Sequence, residues 1–220
     1  MTAPAATSWA DWNGGEPATA YTLGVEEEIM LLECHGWSLA HAADTVLPSL
    51  SPELADRVTH ETHGSVIELR TRVHRTVSSA AEELLGARRL LEKELRTKNL
   101  RAASVGTHPF AVWHDTVVSG GERQGFVYGS MRELARREPT AALHVHVGVD
   151  DPDAAIRAAN ALRGHLPMML ALSANSPFWQ GRDTGLASAR TPLFQAFPRV
   201  GIPRAFADYA DYVETVGLLI

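Results

Sequence analysis

Gly24-Val25-Glu26-Glu27-Glu28-Ile29 sets three acidic side chains back to back in a run that otherwise reads as a β-strand. Strand side chains alternate between faces, so Glu26 and Glu28 project together while Val25, Ile29 and Leu31 turn the other way into a core. Two carboxylates on one side of a sheet repel, and they are tolerated where water or a cation lies between them. A hard divalent ion such as Mg²⁺ takes oxygen ligands of this kind. Alone, the cluster reads equally well as a solvated strand face. By the same parity Glu27 points to the apolar side, where a lone carboxylate is costly, so a buried salt bridge or a shift of the strand is expected.

A second acidic segment, Glu61-Thr62-His63-Gly64-Ser65-Val66-Ile67-Glu68-Leu69-Arg70-Thr71, reads as a turn and a short strand. Val66, Glu68 and Arg70 share one face of it, with Ile67 and Leu69 on the other. Gly64 is a natural bend that lets Glu61 swing to the same side as Glu68. A third segment, Leu143-His144-Val145-His146-Val147-Gly148-Val149, alternates strictly, its histidines facing one way and its apolar residues toward a core. Paired imidazoles suit a metal, a phosphate or acid–base work. A Glu-Arg pair such as Glu68 and Arg70 is more often a surface ion pair, and paired strand histidines are often merely exposed. Three such segments in one chain can bring one polar face to one site.

The chain has 220 residues, 45% of them hydrophobic, enough for a substantial core in one domain. Its formal charge, 20 − 26 = −6, comes with no basic stripe, which argues against nucleic acid as a partner. Cys34 is the single cysteine, so an intrachain disulfide framework is excluded and a small buried or loop thiol is expected rather than a nucleophile. Residues 1–20 are small and polar and read as a flexible leader, with a catalytic domain over 21–220. The longest apolar stretch, Met168 to Ala174, is too short to span a bilayer. A cytoplasmic location with no membrane partner is the expectation.

Helix and strand signals alternate along the rest. A scaffold helix is expected from Ser79 to Lys98, opened by Ser79-x-x-Glu82, with Arg88, Arg89, Glu92, Lys93 and Glu94 on its solvated face. Leu100 to Val105 reads as a strand and Met131 to Arg137 as a helix. Asp151-Pro152 predicts an N-cap and a helix from Pro152 to about Gly164, resuming after Pro167. The segment from Leu172 to Arg190 is too irregular for a helix and reads as a loop, where binding residues concentrate. Within it Arg190, beside Ser188, is the better candidate for gripping phosphate or carboxylate oxygens, and Arg182 reads as a plain surface arginine.

Taken together, T-L-G-V-E-E-E at 22–28, E-T-H-G-S-V-I-E-L-R-T at 61–71, G-T-H-P-F-A-V-W at 106–113, L-H-V-H-V-G-V at 143–149 and L-S-A-N-S-P-F-W-Q-G-R-D-T-G-L-A-S-A-R at 172–190 resemble the carboxylate-amine ligases of the glutamate-cysteine ligase type 2 family. The resemblance covers nearly everything from Tyr21 to Phe206. It implies an α+β, glutamine-synthetase-like fold, an antiparallel sheet forming a funnel with helices packed outside. It also implies ATP-dependent phosphorylation of a carboxylate, typically that of glutamate, followed by attack of an amine. By motif position Glu26, Glu28, Glu61, Glu68 and His144 resemble the family's Mg²⁺ ligands, with His144, Arg190 and Ser188 toward the nucleotide. Arg190 and His146 are the catalytic candidates.

Family members run on for over a hundred further residues, so the chain reads as the N-terminal portion of such a domain. Its apolar ending, Leu218-Leu219-Ile220, leads us to expect either a homo-oligomer that buries this terminus or a poorly soluble fragment, with weak or no turnover by these residues alone. Two other classes stay open on the residues themselves: a metal-dependent hydrolase or cyclase, and a non-catalytic binding paralogue.

Overall fold

A computed structural model describes residues 8–12, 20–120, 122–132, 134, 140–198 and 200–219. The chain divides into two compact units, a larger one of Leu23–His146 and Ala174–Val200 and a smaller one of Met1–Thr22, Val147–Ser173 and Gly201–Ile220.

In the larger unit the acidic run forms β1 (Leu23–Glu33), the centre of the sheet. Its antiparallel neighbours are β3 (Val66–Arg70) on one side and β4 (Leu100–Ala103) on the other, and β2 (Val58–His60) pairs with β3. The order is β2-β3-β1-β4, and β5 (Leu143–Val147) also pairs with β1. Parity sorts the two faces as expected. Ile29, Leu31, Ile67 and Leu69 join Val46, Leu54, Leu91 and Leu95 in the main core, each large side chain contributing roughly 1.5–3 kcal/mol by leaving water. On the opposite face Met30, Leu32, Val66 and Ala141 make a smaller apolar cluster. Beyond it that face turns polar, with Glu28 opposite Glu68 and Glu26 opposite Arg70.

Two short helices, α1 (Ala43–Val46) and α2 (Pro52–Ala55), and the long α3 (Val77–Thr97) cover the main core. The cap of α3 is Thr76, three residues before the expected Ser79. Its hydroxyl accepts the Ser79 amide at 3.2 Å, which makes Ser79 the third helical residue. Asn99, in the left-handed region at φ 59°, then reverses the chain into β4, which stops at Ala103 rather than Val105. The helix α4 (Glu122–Met131) ends where Arg132 turns to φ 53°, and of the helix expected over 131–137 Leu134 is helical. Residues 133 and 135–139 lie outside the described residues. Cys34 is half-buried in the turn after β1.

The stretch read as a loop after Leu172 contains a hairpin. β6 (Phe178–Trp179) and β7 (Arg182–Asp183) are joined by Gln180 and Gly181, at φ 50° and 76°. Two successive positive-φ residues form the tight turn whose twist matches a hairpin, and Trp-Gln-Gly-Arg was its sequence signal. Arg182 is exposed, as expected of a surface arginine.

The smaller unit holds α5 (Pro152–Leu162), α6 (Leu166–Ser173) and α8 (Tyr209–Gly217); α7 belongs to the larger unit and is described below. Asp151 caps α5 as predicted, accepting the amides of Asp153 and Ala154, and α6 starts one residue before Pro167. The Asn160 side chain clamps the Phe206 backbone at both its N–H and its carbonyl. Trp12 stands edge-on to Tyr209, and the Tyr209 hydroxyl donates to the Ala10 carbonyl. Among the described residues no helix is long and apolar enough to cross a membrane.

Candidate functional site

The polar end of the sheet in the larger unit borders a cleft of about 360 Å³. Glu28, Glu61, His144 and Arg190 line it together, brought from β1, the β2–β3 connection, β5 and a late helix.

Glu28 is half-buried, and one oxygen accepts the Ala142 amide at 2.8 Å. Burial, then the Glu61 carboxylate, push its pKa up to about 7, with Glu68 adding to the rise; the Ala142 N–H and Arg190 oppose it. Glu61 reaches the cleft because the connection is pinned from outside. Thr62 O accepts from Ser119 N at 2.8 Å, Gly64 N donates to Val117 O at 2.8 Å, and His63 bridges Val118. Gly64 lies in the turn expected there, which the Val66 N–H closes on His63 O at 2.9 Å, without needing a positive φ.

The histidines of β5 share a side, their ring centroids 6.4 Å apart, but take different partners. His144 lines the cleft. His146 Nε2 lies 2.9 Å from Glu26 Oε2, and that pair is not part of the lining. Leu143 and Val145, expected to face a core, are 56% and 60% exposed. α3 packs against β1 and β4, which leaves the apolar side of β5 outside the helical layer.

Arg190 opens α7 (Arg190–Phe194). The chain arrives there through a parallel bridge between Ser176 and Ser188. Its Nε donates to Ala141 O at 3.0 Å and its guanidinium sits 4.8 Å from the centre of the Phe194 ring. Burial lowers its pKa, and the Glu28 charge works against that. Ser188 spends its hydroxyl on Thr191, 3.0 Å away, and on Ser176, and it is not in the lining.

Of the five proposed metal ligands, Glu28, Glu61 and His144 thus border the cleft. Glu68 acts on Glu28 across the β1–β3 pair, and Glu26 is engaged with His146. Among the described residues no group of three or more His, Cys, Asp or Glu side chains stands ready to hold a metal. The set fits a hard cation in donor type and in charge, because a divalent ion would offset both the burial and the neighbouring carboxylate charges that hold the Glu28 pKa up.

Sequence reasoning did not find the apolar part of the lining, which includes Met131, Phe194, Phe197, Pro198 and Val200. Phe-Gln-Ala-Phe-Pro carries no periodic signal, so only the fold collects these residues. Thr62 and His63 also line the cleft, and they stood in the quoted Glu-Thr-His-Gly motif unremarked. The loop motif Gly106-Thr107-His108-Pro109 works as scaffold. The backbone of Gly106 comes so near the 174–176 segment that a Cβ would lie 2.9 Å from Asn175 Oδ1. His108 accepts the Ala111 amide and bonds to Trp37 O, with burial lowering its pKa.

Residues 22–219 match the model of glutamate–cysteine ligase family 2. A protein of Rubrobacter xylanophilus, provisionally named glutamate–cysteine ligase 2-1, is 40% identical over 92% of this chain and 54% of its own length. The glutamate–cysteine ligases of Natronomonas pharaonis and Haloquadratum walsbyi are 40% and 41% identical, over 87% and 88% of this chain and 53% and 54% of theirs. The chain spans about half the length of the curated relatives it matches. The bifunctional glutathione synthetase of Pasteurella multocida shares the fold, with a TM-score of 0.56 at 12% identity over 75% of this chain and 25% of that one.

Proposed function

Since this chain belongs to glutamate–cysteine ligase family 2, we propose that it carries the carboxylate-activating portion of an ATP-dependent carboxylate–amine ligase. In the proposed reaction a carboxylate oxygen of glutamate or a similar acid attacks the γ-phosphorus of ATP, releasing ADP. The amine nitrogen then attacks the acyl carbon, the C–N bond forms, inorganic phosphate leaves and the nitrogen loses a proton. The observation that carries this reading is the meeting of Glu28, Glu61, His144 and Arg190 around one cleft, carboxylates against a fixed guanidinium.

Phosphoryl transfer asks the protein for positioning and charge neutralisation more than for a nucleophile. Arg190, held by Ala141 and Phe194, is placed to grip substrate or phosphoryl oxygens. Glu28, Glu61 and Glu68, with His144 beside them, would hold Mg²⁺, which when bound neutralises phosphate charge. His146 orients Glu26 at the margin, and Ser188 supports Arg190 through Ser176.

The test is ADP release by the purified chain with ATP, Mg²⁺, glutamate and a panel of amines, beside thermal shifts with ATP plus Mg²⁺ and with Mg²⁺ alone. Nucleotide-dependent stabilisation is expected, and Glu28→Gln and Arg190→Ala should abolish it. A shift with Mg²⁺ alone that ATP does not change, together with no ADP release, would replace the ligase with a metal-dependent hydrolase.

A further inference from the structure

Arg190 and Glu28 share one peptide group. The Ala141 carbonyl accepts from Arg190 Nε at 3.0 Å, and the N–H of the same peptide, that of Ala142, donates to Glu28 Oε2 at 2.8 Å. In a trans peptide these two directions are opposed, so the group stands between guanidinium and carboxylate with each end toward the charge that suits it. Its position governs both charges of the cleft.

What fixes that peptide lies outside the lining. Ala141 N donates to Gly106 O at 3.1 Å, and Gly106 N donates to Asn175 Oδ1 at 3.0 Å. The next residue, Ser176, accepts the Ala189 amide on its carbonyl at 2.7 Å and the Arg190 amide on its hydroxyl at 3.3 Å. Asn175 and Ser176 thus hold Arg190 twice, at its backbone directly and at its guanidinium through Gly106 and Ala141. The approach requires glycine, because a Cβ at Gly106 would meet Asn175 Oδ1 at 2.9 Å and Ser176 Oγ at 3.1 Å. Asn175 itself is exposed and does not line the cleft, so it acts through the backbone it holds.

We propose that Asn175 is a positioning residue, setting through Gly106 and the Ala141–Ala142 peptide the spacing between Glu28 and Arg190. Its importance rests on reading the cleft as a phosphoryl-transfer site, where that spacing matches a cation on the carboxylates to phosphoryl oxygens on the guanidinium. A misplacement of about 1 Å there is costly although every contact residue is still present.

Hydrogen exchange at the Arg190 Nε–H and the Ala142 amide, followed by heteronuclear NMR in the full chain, tests this beside isothermal titration with MgATP. Asn175→Ala should speed exchange at both groups about tenfold, the scale of one lost hydrogen bond, while the amides of the β1–β3 ladder stay as slow as before. Asn175→Asp, which keeps an acceptor for the Gly106 N–H, should restore slow exchange. MgATP should bind about tenfold more weakly to Asn175→Ala, and the substitution should add nothing in an Arg190→Lys background. Unchanged exchange at Arg190 overturns the proposal, as does exchange that rises equally along the β1–β3 ladder, which would make Asn175 a general stabiliser. So does MgATP binding that Asn175→Ala leaves untouched, or weakens as much in the Arg190→Lys background. The ligase reading fails separately: no MgATP binding by the unsubstituted chain removes it, and exchange at Arg190 still decides whether Asn175 positions that group.

Discussion

Glu27 and Glu28 are neighbours on one strand, and they lead opposite lives. Glu27 is 1% exposed, yet its carboxylate is complete. Arg88 reaches over from α3 to hold both oxygens, Nε at 2.5 Å, and the Ser104 hydroxyl adds a third donor. Glu28, more open to solvent, has one backbone N–H and faces two other carboxylates. Depth of burial does not separate these two groups; the completeness of their partners does. The polypeptide finishes the environment of Glu27 by itself, and the hydrogen bonds that Arg88 donates to it raise the Arg88 pKa in return. Around Glu28 it assembles like charges and leaves the balance to something that binds, which distinguishes a site from a scaffold.

Arg88→Ala gives the hardest test of that contrast. It strips the partner from a carboxylate at the edge of the main core, and removing one half of a buried pair costs about 3–5 kcal/mol. Urea unfolding should show a loss of that size. The double variant Glu27→Leu, Arg88→Leu should regain most of it, because the cost lies in the orphaned charge. A loss below about 1 kcal/mol for Arg88→Ala would mean that water completes Glu27, and the two carboxylates would then not differ in kind.

Glu28→Gln should act in the other direction, with a particular pH dependence. The folded pKa of Glu28, about 7, lies above its ordinary value of 4.5. Between those values the folded chain keeps a proton that the unfolded chain has lost. Its stabilising contribution is therefore full below pH 4.5, shrinks as pH rises and is gone above pH 7. After allowance for solvent screening, Glu28→Gln should gain roughly 1–2 kcal/mol over the unsubstituted chain at pH 8 and nearly nothing at pH 4.5. Unfolding midpoints measured across that range check it. A gain that is constant with pH would mean that neither burial nor the neighbouring carboxylates shift Glu28 in the folded chain.

The same contrast explains what could be read in advance. Parity alone assigned Ile29 and Leu31 to the core, set Glu26 and Glu28 opposite them, and called for a buried salt bridge or a shift of the strand at Glu27, of which the structure has the salt bridge, because alternation is a local property of a strand. The partner was misread: Arg88 looked like part of a solvated helix face, since nothing local says that one arginine of α3 lies over the middle of β1. Arg190, His144, Glu28 and Glu61 were legible because each has a chemical type that suits few purposes. Phe194 and Phe197 were not, being apolar residues in an aperiodic segment whose role depends on what lies across from them. Leu143 and Val145 failed for a related reason: alternation predicts that two residues share a face, and tertiary packing decides whether that face is covered.

The smallest expected effect concerns Glu26, which sits on the same face as Glu28 but resembles neither of its neighbours. Its partner is His146 at 2.9 Å, with side-chain exposures of 30% and 62% for the glutamate and the histidine. Solvent already satisfies most of both groups, and exposed pairs of this kind contribute about 0–1 kcal/mol and weaken with salt. His146→Gln should therefore change the unfolding free energy by less than about 1 kcal/mol at low ionic strength and by nothing measurable in 1 M salt. Its ADP release should fall only modestly, as expected of a residue that steadies Glu26 from outside the cleft. A stability loss of 2 kcal/mol or more would place the Glu26–His146 pair with Glu27 and Arg88 as a scaffold element. A collapse of ADP release with stability intact would instead move His146 into the reaction itself, and the boundary of the site would have to be redrawn along β5.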